Sequence, residues 1–430
     1  MEDLILEGGG SLRSISSSFS SSSSSSISSV VSRALAGVMG ESREFFSPIS
    51  GAGSSNSGLN SNANAASLEK LARMKQQLWD KSSVEPAMLR APIVVIIFIF
   101  LWGLNLIVLE KSKLQYHNAV SIKTAPISFA FMWAFILLAL FLVSITVLSN
   151  VLDYQIEYTM TIYYLFVVVA FCIPFIPYQD TKYSFFRLLK NCVFPVDKIA
   201  FSEVLLADAL TSLSKVLKDV GVTLISIFAV MTHQSVINIH NEAMIVIAIM
   251  ASAPFLIRVR QCMVQLEGAQ DFYSRLPIIL NIIKYMTGFP PIWLAAIAGL
   301  GYEHPLLPMV IASMAAINSI YSFLWDIIMD WGFILTNRDL KIWIRNKLYY
   351  SIVFFIMATI INFILRFSWY ANRLTYFKQL HSSHLLLIVE IAEVFRRSMW
   401  NMFRIEWEVY DKLERSGSRD KDDFEMLINK

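Results

Sequence analysis

Nine apolar runs separated by short polar segments organise this chain: residues 92–109, 126–148, 159–177, 203–231, 241–257, 277–300, 306–329, 348–369 and 383–400. Each is near or above the roughly 17–25 residues that a helix needs to cross about 30 Å of hydrocarbon. The pattern predicts an all-α polytopic membrane protein with about nine transmembrane helices.

The polar segments alternate in charge. One set carries Lys111, Lys113 and Lys123, then Lys182, Arg187, Lys190 and Lys198, then Arg258, Arg260 and Arg275, then Arg338, Lys341, Arg345 and Lys347. The intervening segments at 153–157, 232–241 and 301–304 contain no Lys or Arg, and the turn near Arg373 carries few. Short cytosolic loops are enriched in basic residues, so the first set and the charged tail from Arg404 onward are expected in the cytosol. A nine-span count then puts residues 1–90 on the lumenal or outer side. Lys70, Arg73, Lys75, Lys81 and Arg90, which flank the first span, favour the opposite side for the same segment.

Ahead of the first span, residues 1–66 are rich in Ser, Gly and Asn and have too few apolar residues to offset the entropy of folding, which predicts disorder. Ser11 to Gly40 has the composition of an organellar transit peptide, although Glu2, Asp3 and Glu7 precede it. In the 67–90 segment, Leu68, Leu71, Met74, Leu78 and Trp79 share one face opposite basic residues, the pattern of an amphipathic helix lying on a membrane or against a partner. N-terminal transmembrane helices at 91–200, a core transmembrane domain at 201–405 and a cytosolic tail at 406–430 complete the expected layout.

Composition agrees with the pattern: 55% of the residues are hydrophobic and 16% charged, against about 25% charged in soluble domains. Cys172, Cys192 and Cys262 have no metal-ligand spacing and read as small buried residues. No Gly-rich phosphate loop, zinc helix motif or nucleophile elbow is present. Neither a cofactor nor a metal is expected, nor is an enzyme or a nucleic-acid partner.

What changes the picture is a set of ionisable residues inside the runs or at their edges. Asp326 and Asp330 are four apart, which on an α-helix puts both carboxylates on one face. Asp208, Asp219, Arg258, Lys284, Arg366, Glu390, Glu393, Arg396 and Arg397 add both signs on other segments. Inter-helix ion pairing or snorkelling to the headgroups is sufficient for Arg260, Lys218 and Glu390. As a group, opposed charges on many helices point to a polar pathway, because an intramembrane charge faces a cavity or the bundle interior. Converging Arg and Lys side chains make an anion site, and interleaved carboxylates can accept a hydrogen bond from a protonated phosphate that sulfate cannot donate. An oxyanion such as inorganic phosphate fits best, with a small carboxylate also open.

Trp325-Asp326-Ile-Ile-Met-Asp330-Trp331-Gly332, Leu365-Arg366-Phe-Ser-Trp369, Val394-Phe-Arg396-Arg397-Ser-Met-Trp400-Asn401, Arg258-Val-Arg-Gln261-Cys262 and Asn281-Ile-Ile-Lys284-Tyr285 resemble the ordered motif series of the EXS domain, from about Leu89 to Asn401. That family includes the xenotropic retrovirus receptor, which exports phosphate, plant phosphate exporters and the yeast ER-retention-defective protein. The resemblance implies a six-helix core bundle. It implies a phosphate route at Asp208, Arg258, Lys284, Asp326, Asp330, Arg366, Trp369, Glu393, Arg396 and Arg397, with Trp369 as an aromatic gate.

Two features depart from the exporters. Met263-Val-Gln-Leu-Glu267 stands where they carry a strongly basic run, and the 90 N-terminal residues do not resemble their SPX sensor domain, so gating by inositol pyrophosphates is not expected. The layout is similar to the ER-retention-defective branch, whose members work in the Golgi. The implied function is phosphate transport from Golgi lumen to cytosol, with the plasma membrane or plastid envelope as other locations. Inorganic phosphate, membrane lipids, a second copy in a homodimer and Golgi glycosyltransferases are the partners this reading admits. The rival is a sorting factor that binds glycosyltransferase tails through residues 406–430 and carries no solute. A membrane enzyme with a metal on Asp326 and Asp330 is a third reading, with no further ligand motif behind it.

Overall fold

The computed structural model of the 430-residue chain describes residues 69, 72–73, 81–112, 114, 116–117, 127–152, 154–173, 178–196, 198–336, 342–345, 348–373 and 382–416. The expectations for residues 1–66, for most of residues 67–80 of the 67–90 segment and for the tail beyond Ser416 lie outside these residues.

The described part is an α-helical bundle. Its helices are α1 (Lys81–Lys111), α2 (Ile127–Val143, extended by a π-helical segment Ser144–Val151), α3 (Ile156–Cys172), α4 (Gln179–Val193), α5 (Phe201–Ser212) and α6 (Ser214–Met231). There follow α7 (His240–Gly268), α8 (Phe272–Met286), α9 (Phe289–Gly299), α10 (Leu307–Trp325), α11 (Ile352–Arg366) and α12 (Ser382–Ser416). An antiparallel hairpin of β1 (Ile334–Thr336) and β2 (Ile342–Ile344) pairs Leu335 with Trp343 between α10 and α11.

Among the described residues six helical segments are long and apolar enough to cross a membrane: Val84–Lys111, Ile127–Val151, His240–Gly268, Phe272–Gly299, Leu307–Asp330 and Ile352–Tyr370. The other three of the nine predicted runs depart for identifiable reasons. Ile156–Cys172 is apolar but short. The 203–231 run breaks at Leu213 and carries Lys215, Lys218 and Asp219, and 383–400 lies within α12, whose Glu390, Glu393, Arg396 and Arg397 dilute its apolar face. A count of nine is therefore not reached on length and apolarity.

The basic segment after α3 is also more than a loop. It forms α4, whose Lys182 Nζ donates to the carbonyls of Phe171 and Ile173 at 3.0 and 3.3 Å, satisfying the open C-terminal end of α3. Arg345, expected in a cytosolic loop, is buried beneath the hairpin against Glu406 (2.5 Å) with the rings of Trp407 and Tyr410 beside it. Glu406 is thus part of the packed bundle, and α12 runs through it without a break.

α12 and α1 form the axis of the bundle: α1 packs on α2, α6 and α12, and α12 also contacts α5 and α11. One apolar cluster joins Leu106 and Leu109 of α1 to Trp331, Phe333, Phe355, Trp400 and Phe403. Another joins Val94 of α1 to Leu213, Val216 and Val394. Gly332, between them and the hairpin, has φ +52°, and a Cβ there would lie 2.4 Å from the Trp407 ring, so only glycine fits.

Candidate functional site

Four interruptions of helical geometry meet at one place inside this bundle. The first is the α5–α6 joint. Thr211 Oγ1 turns back to the Asp208 carbonyl (2.7 Å) and Ser214 Oγ donates to the Ala251 carbonyl of α7 (2.6 Å), a side-chain diversion that bends helices. The second is Thr287–Gly288, between α8 and α9, where Pro290 and Pro291 cannot donate to the preceding turn. Gly288 is required because a Cβ would lie 2.7 Å from the Phe255 ring. The third is a π-helical turn, Asp326–Asp330, at the end of α10. The fourth is a 3-10 turn, Ser368–Arg373, after α11. Irregular backbone at membrane depth is tolerated where it lines a cavity, and π-turns recur at functional sites.

Ser212, Ser214, Gly288, Asp326, Asp330 and Ser368 all line a cavity of about 340 Å³. The volume is at the small end of ligand pockets. Of the ten residues expected to line a phosphate route, Asp208, Lys284, Asp326, Asp330, Arg366, Trp369, Glu393, Arg396 and Arg397 are at this cavity. Arg258 lies behind its wall: its Nε is 2.8 Å from Asp208 Oδ1 and 3.0 Å from Tyr285 Oη, and its Nη1 donates to Gln261 Oε1. Gln261 in turn donates to the carbonyls of Cys192 and Glu203, tying this pair to α4 and α5.

On the opposite wall Asp326 Oδ2 gathers Arg366 Nη2, Asn362 Nδ2 (3.0 Å) and Arg396 Nη1 (3.5 Å). Asn362 Oδ1 accepts from Arg396 Nη1 at 3.2 Å, which orients its amide. The Nε and Nη2 of Arg396 grip Glu393 at 2.8 and 2.6 Å, two-pronged pairing that only a guanidinium makes. Ser212 Oγ accepts from Arg397 Nε at 2.7 Å. Trp369 Nε1 donates to Ser319 Oγ at 3.0 Å and so closes α11 on α10 across the cavity wall.

Asp326 and Asp330, four residues apart, diverge in role. In the π-turn Trp331 N donates to Asp326 O, five residues back, and the same offset lets Trp325 Nε1 reach Asp330 Oδ1 at 3.2 Å. Asp330 also faces Arg404 Nε at 3.9 Å, while Asp326 faces Arg366 and Arg396. Asp326 Oδ2 and Asp330 Oδ1 are therefore engaged by donors of the protein itself. Among the described residues no group of three or more His, Cys, Asp or Glu side chains could hold a metal ion.

The cations are not all occupied. Among the described residues Lys215, Lys284 and Arg397 make no ion pair, although all three line the cavity. Lys284 Nζ rests over the rings of Tyr285 (4.3 Å) and Trp325 (4.8 Å), and Arg397 stacks on Trp400 at 4.3 Å. Arg366 Nε is buried without a hydrogen-bond partner among the described residues. With carboxylates engaged and cations open, the cavity presents net positive charge to whatever enters it.

Sequence reasoning passed over Lys215, Thr211, Ser212, Asn318, Ser319, Ser322 and Asn362, which line the cavity or hold its arginines. Only Lys215 carried a signal, as a charge inside an apolar run. The neutral residues have none, because a serine in a transmembrane helix reads the same whether or not it meets an arginine.

Residues 86–410 match the EXS family. The chain belongs to the EXS family. Similar proteins include Protein ERD1 homolog 1 of Schizosaccharomyces pombe, 31% identical over 237 residues, 53% of this chain and 62% of that protein. Phosphate transporter PHO1 homolog 8 of Arabidopsis thaliana is 27% identical over 253 residues, 57% of this chain and 32% of that one. Solute carrier family 53 member 1 of Mus spretus is 28% identical over 255 residues, 54% and 36% respectively. This EXS chain spans less than two thirds of the length of each of these relatives. The matched region contains every helix from α2 to α11, and with them all four interruptions that form the cavity.

Proposed function

We propose that this EXS protein conducts inorganic phosphate across a Golgi membrane, returning it from lumen to cytosol, through the cavity built on α5, α6, α8, α10, α11 and α12. The observation that carries the reading is the asymmetry of the site: Lys215, Lys284 and Arg397 open to the cavity without an ion-pair partner among the described residues, while its carboxylates are engaged. A tetrahedral oxyanion is the ligand that three such cations and neighbouring hydroxyls satisfy together. The similarity to an Arabidopsis thaliana phosphate transporter supports phosphate as the anion. The Golgi assignment draws its support from the resemblance to the ER-retention-defective branch.

The test is radiolabelled phosphate flux into liposomes that contain the purified protein, under a gradient in each direction and against protein-free liposomes. Flux above background is expected. A well-folded protein without flux in either direction would turn the reading to the sorting factor, whose activity would depend on the tail and be indifferent to the cavity.

Selectivity gives a second, finer expectation. Asp330 Oδ2 takes no hydrogen bond from a described residue, so it is placed to accept the proton of a hydrogen phosphate. Asp330→Asn converts that acceptor site into an amide and is expected to lower the ratio of phosphate to sulfate flux, by about tenfold for one charge-assisted hydrogen bond. A competition assay with sulfate against labelled phosphate reads it, and an unchanged ratio removes Asp330 from selectivity.

A further inference from the structure

A second buried polar centre lies one helical turn from the cavity, and the anion site does not use it. Arg90 on α1 holds Asp219 of α6 with Nε at 2.8 Å and Nη2 at 2.7 Å, and its Nε is 3.5 Å from Glu390 Oε1 of α12. Arg90, Asp219 and Glu390 are 8%, 2% and 4% exposed, so two carboxylates share one guanidinium away from water. Asp219 has the stronger claim on it. Glu390 Oε2 is buried with no hydrogen-bond partner among the described residues. The remaining titratable groups facing this centre are Lys215 and Lys218 on α6, Tyr164 on α3 and Glu393 on α12. Lys218 points to the exposed side of α6 and makes no ion pair among the described residues.

Helical spacing ties the centre to the cavity. Lys215 precedes Asp219 by four residues and Glu393 follows Glu390 by three, so each pair shares a face. Lys215 and Glu393 both line the cavity. Of the two lysines that face Glu390 among the described residues, Lys215 is the one that also lines the cavity.

We infer that Glu390 is a proton-binding site linked through Lys215 to the occupancy of the cavity. With the cavity empty, the Lys215 charge supports an ionised Glu390. An anion beside Lys215 takes up that charge, and Glu390 Oε2, which has no other donor, binds a proton from water to become a neutral carboxylic acid. Two carboxylates on one cation cannot both stay ionised once a second cation is withdrawn. Because linkage is reciprocal, protonation of Glu390 tightens anion binding by the same factor. The identity of the anion as phosphate rests on the proposed function; the proton site itself does not.

Two readouts separate the inferences. Infrared difference spectra of the purified protein in lipid, titrated with pH, are expected to show a buried carboxylic-acid band that is lost in Glu390→Gln. Added inorganic phosphate is expected to move the titration of that band to higher pH. In binding assays, acidification is expected to tighten phosphate about 5–150-fold more in the wild type than in Glu390→Gln, the range typical of coupled sites. Comparing the two proteins at each pH cancels the titration of phosphate itself. If Glu390→Gln does not fold, Asp219→Asn serves. It leaves Arg90 to Glu390 alone, and the band is expected to disappear because Glu390 stays ionised. A band that persists in either folded variant overturns the proton site, and equal pH dependence of wild type and Glu390→Gln overturns the linkage. Absence of phosphate flux with the band present and assigned to Glu390 would instead refute the phosphate reading and leave the proton site standing.

Discussion

Arg397→Ala is expected to remove most phosphate flux while leaving the bundle folded. Its guanidinium makes no ion pair among the described residues; it touches Ser212 Oγ, Thr211 Oγ1 at 3.4 Å and the Trp400 ring. Truncation therefore orphans no carboxylate among the described residues, and the structural loss is confined to stacking and two hydrogen bonds to hydroxyls. The functional loss is larger, because a guanidinium paired with a phosphate oxygen contributes about 1.5–3 kcal/mol per charge-assisted bond. Flux measured against phosphate concentration is expected to show a rise of about tenfold or more in the half-saturating concentration. Arg397→Lys keeps the charge but loses the planar fork, so partial recovery is expected. Unchanged flux in a folded Arg397→Ala protein would remove this arginine from the pathway.

Asp326→Ala is expected to act in the opposite order, on stability first. Among the described residues Asp326 is the one carboxylate that pairs with both Arg366 and Arg396, and its loss leaves two buried guanidiniums facing each other, with Glu393 holding only the second. Breaking a buried ion pair from one side costs about 3–5 kcal/mol, because the abandoned charge stays desolvated. A lowered unfolding temperature in detergent and loss of flux are expected together. The double variant Asp326→Ala with Arg366→Ala removes the abandoned charge and is expected to regain much of the stability and none of the flux. A double variant destabilised by the sum of the two single losses would show that the two residues are not coupled. Scanning fluorimetry on the four proteins of this cycle measures the coupling directly.

Legibility in the sequence followed the cost of burial. A charge inside a run of Leu, Ile and Phe stands out because hydrocarbon penalises it, so Asp208, Lys284, Asp326, Asp330, Arg366, Glu393, Arg396 and Arg397 were visible as a group before any contact was known. Trp369 was not visible in this way. It entered through the family resemblance, and its indole contacts Ser319, a residue with no sequence signal of its own. Glu390 was read as bundle glue, yet its unpartnered oxygen and its sharing of Arg90 with Asp219 distinguish it from the pairs that only hold helices together.

By itself, the sequence determined the class of this protein, the approximate positions of its apolar helices and the pool of ionisable residues, since each depends on local hydropathy and on the desolvation of single side chains. Tertiary structure alone decided how that pool is divided. Asp326 takes Arg366 and Arg396, Asp208 takes Arg258, and Lys215, Lys284 and Arg397 are left open to the cavity. The breaks at Leu213, Gly288 and Asp326–Asp330 were likewise undetermined by local pattern. Each relies on a partner far along the chain, such as the Ala251 carbonyl for Ser214, Phe255 beside Gly288 and the arginines of α11 and α12 for Asp326. Pairing and bending are set by what the neighbouring helix presents, and a linear pattern carries no record of which helix that is.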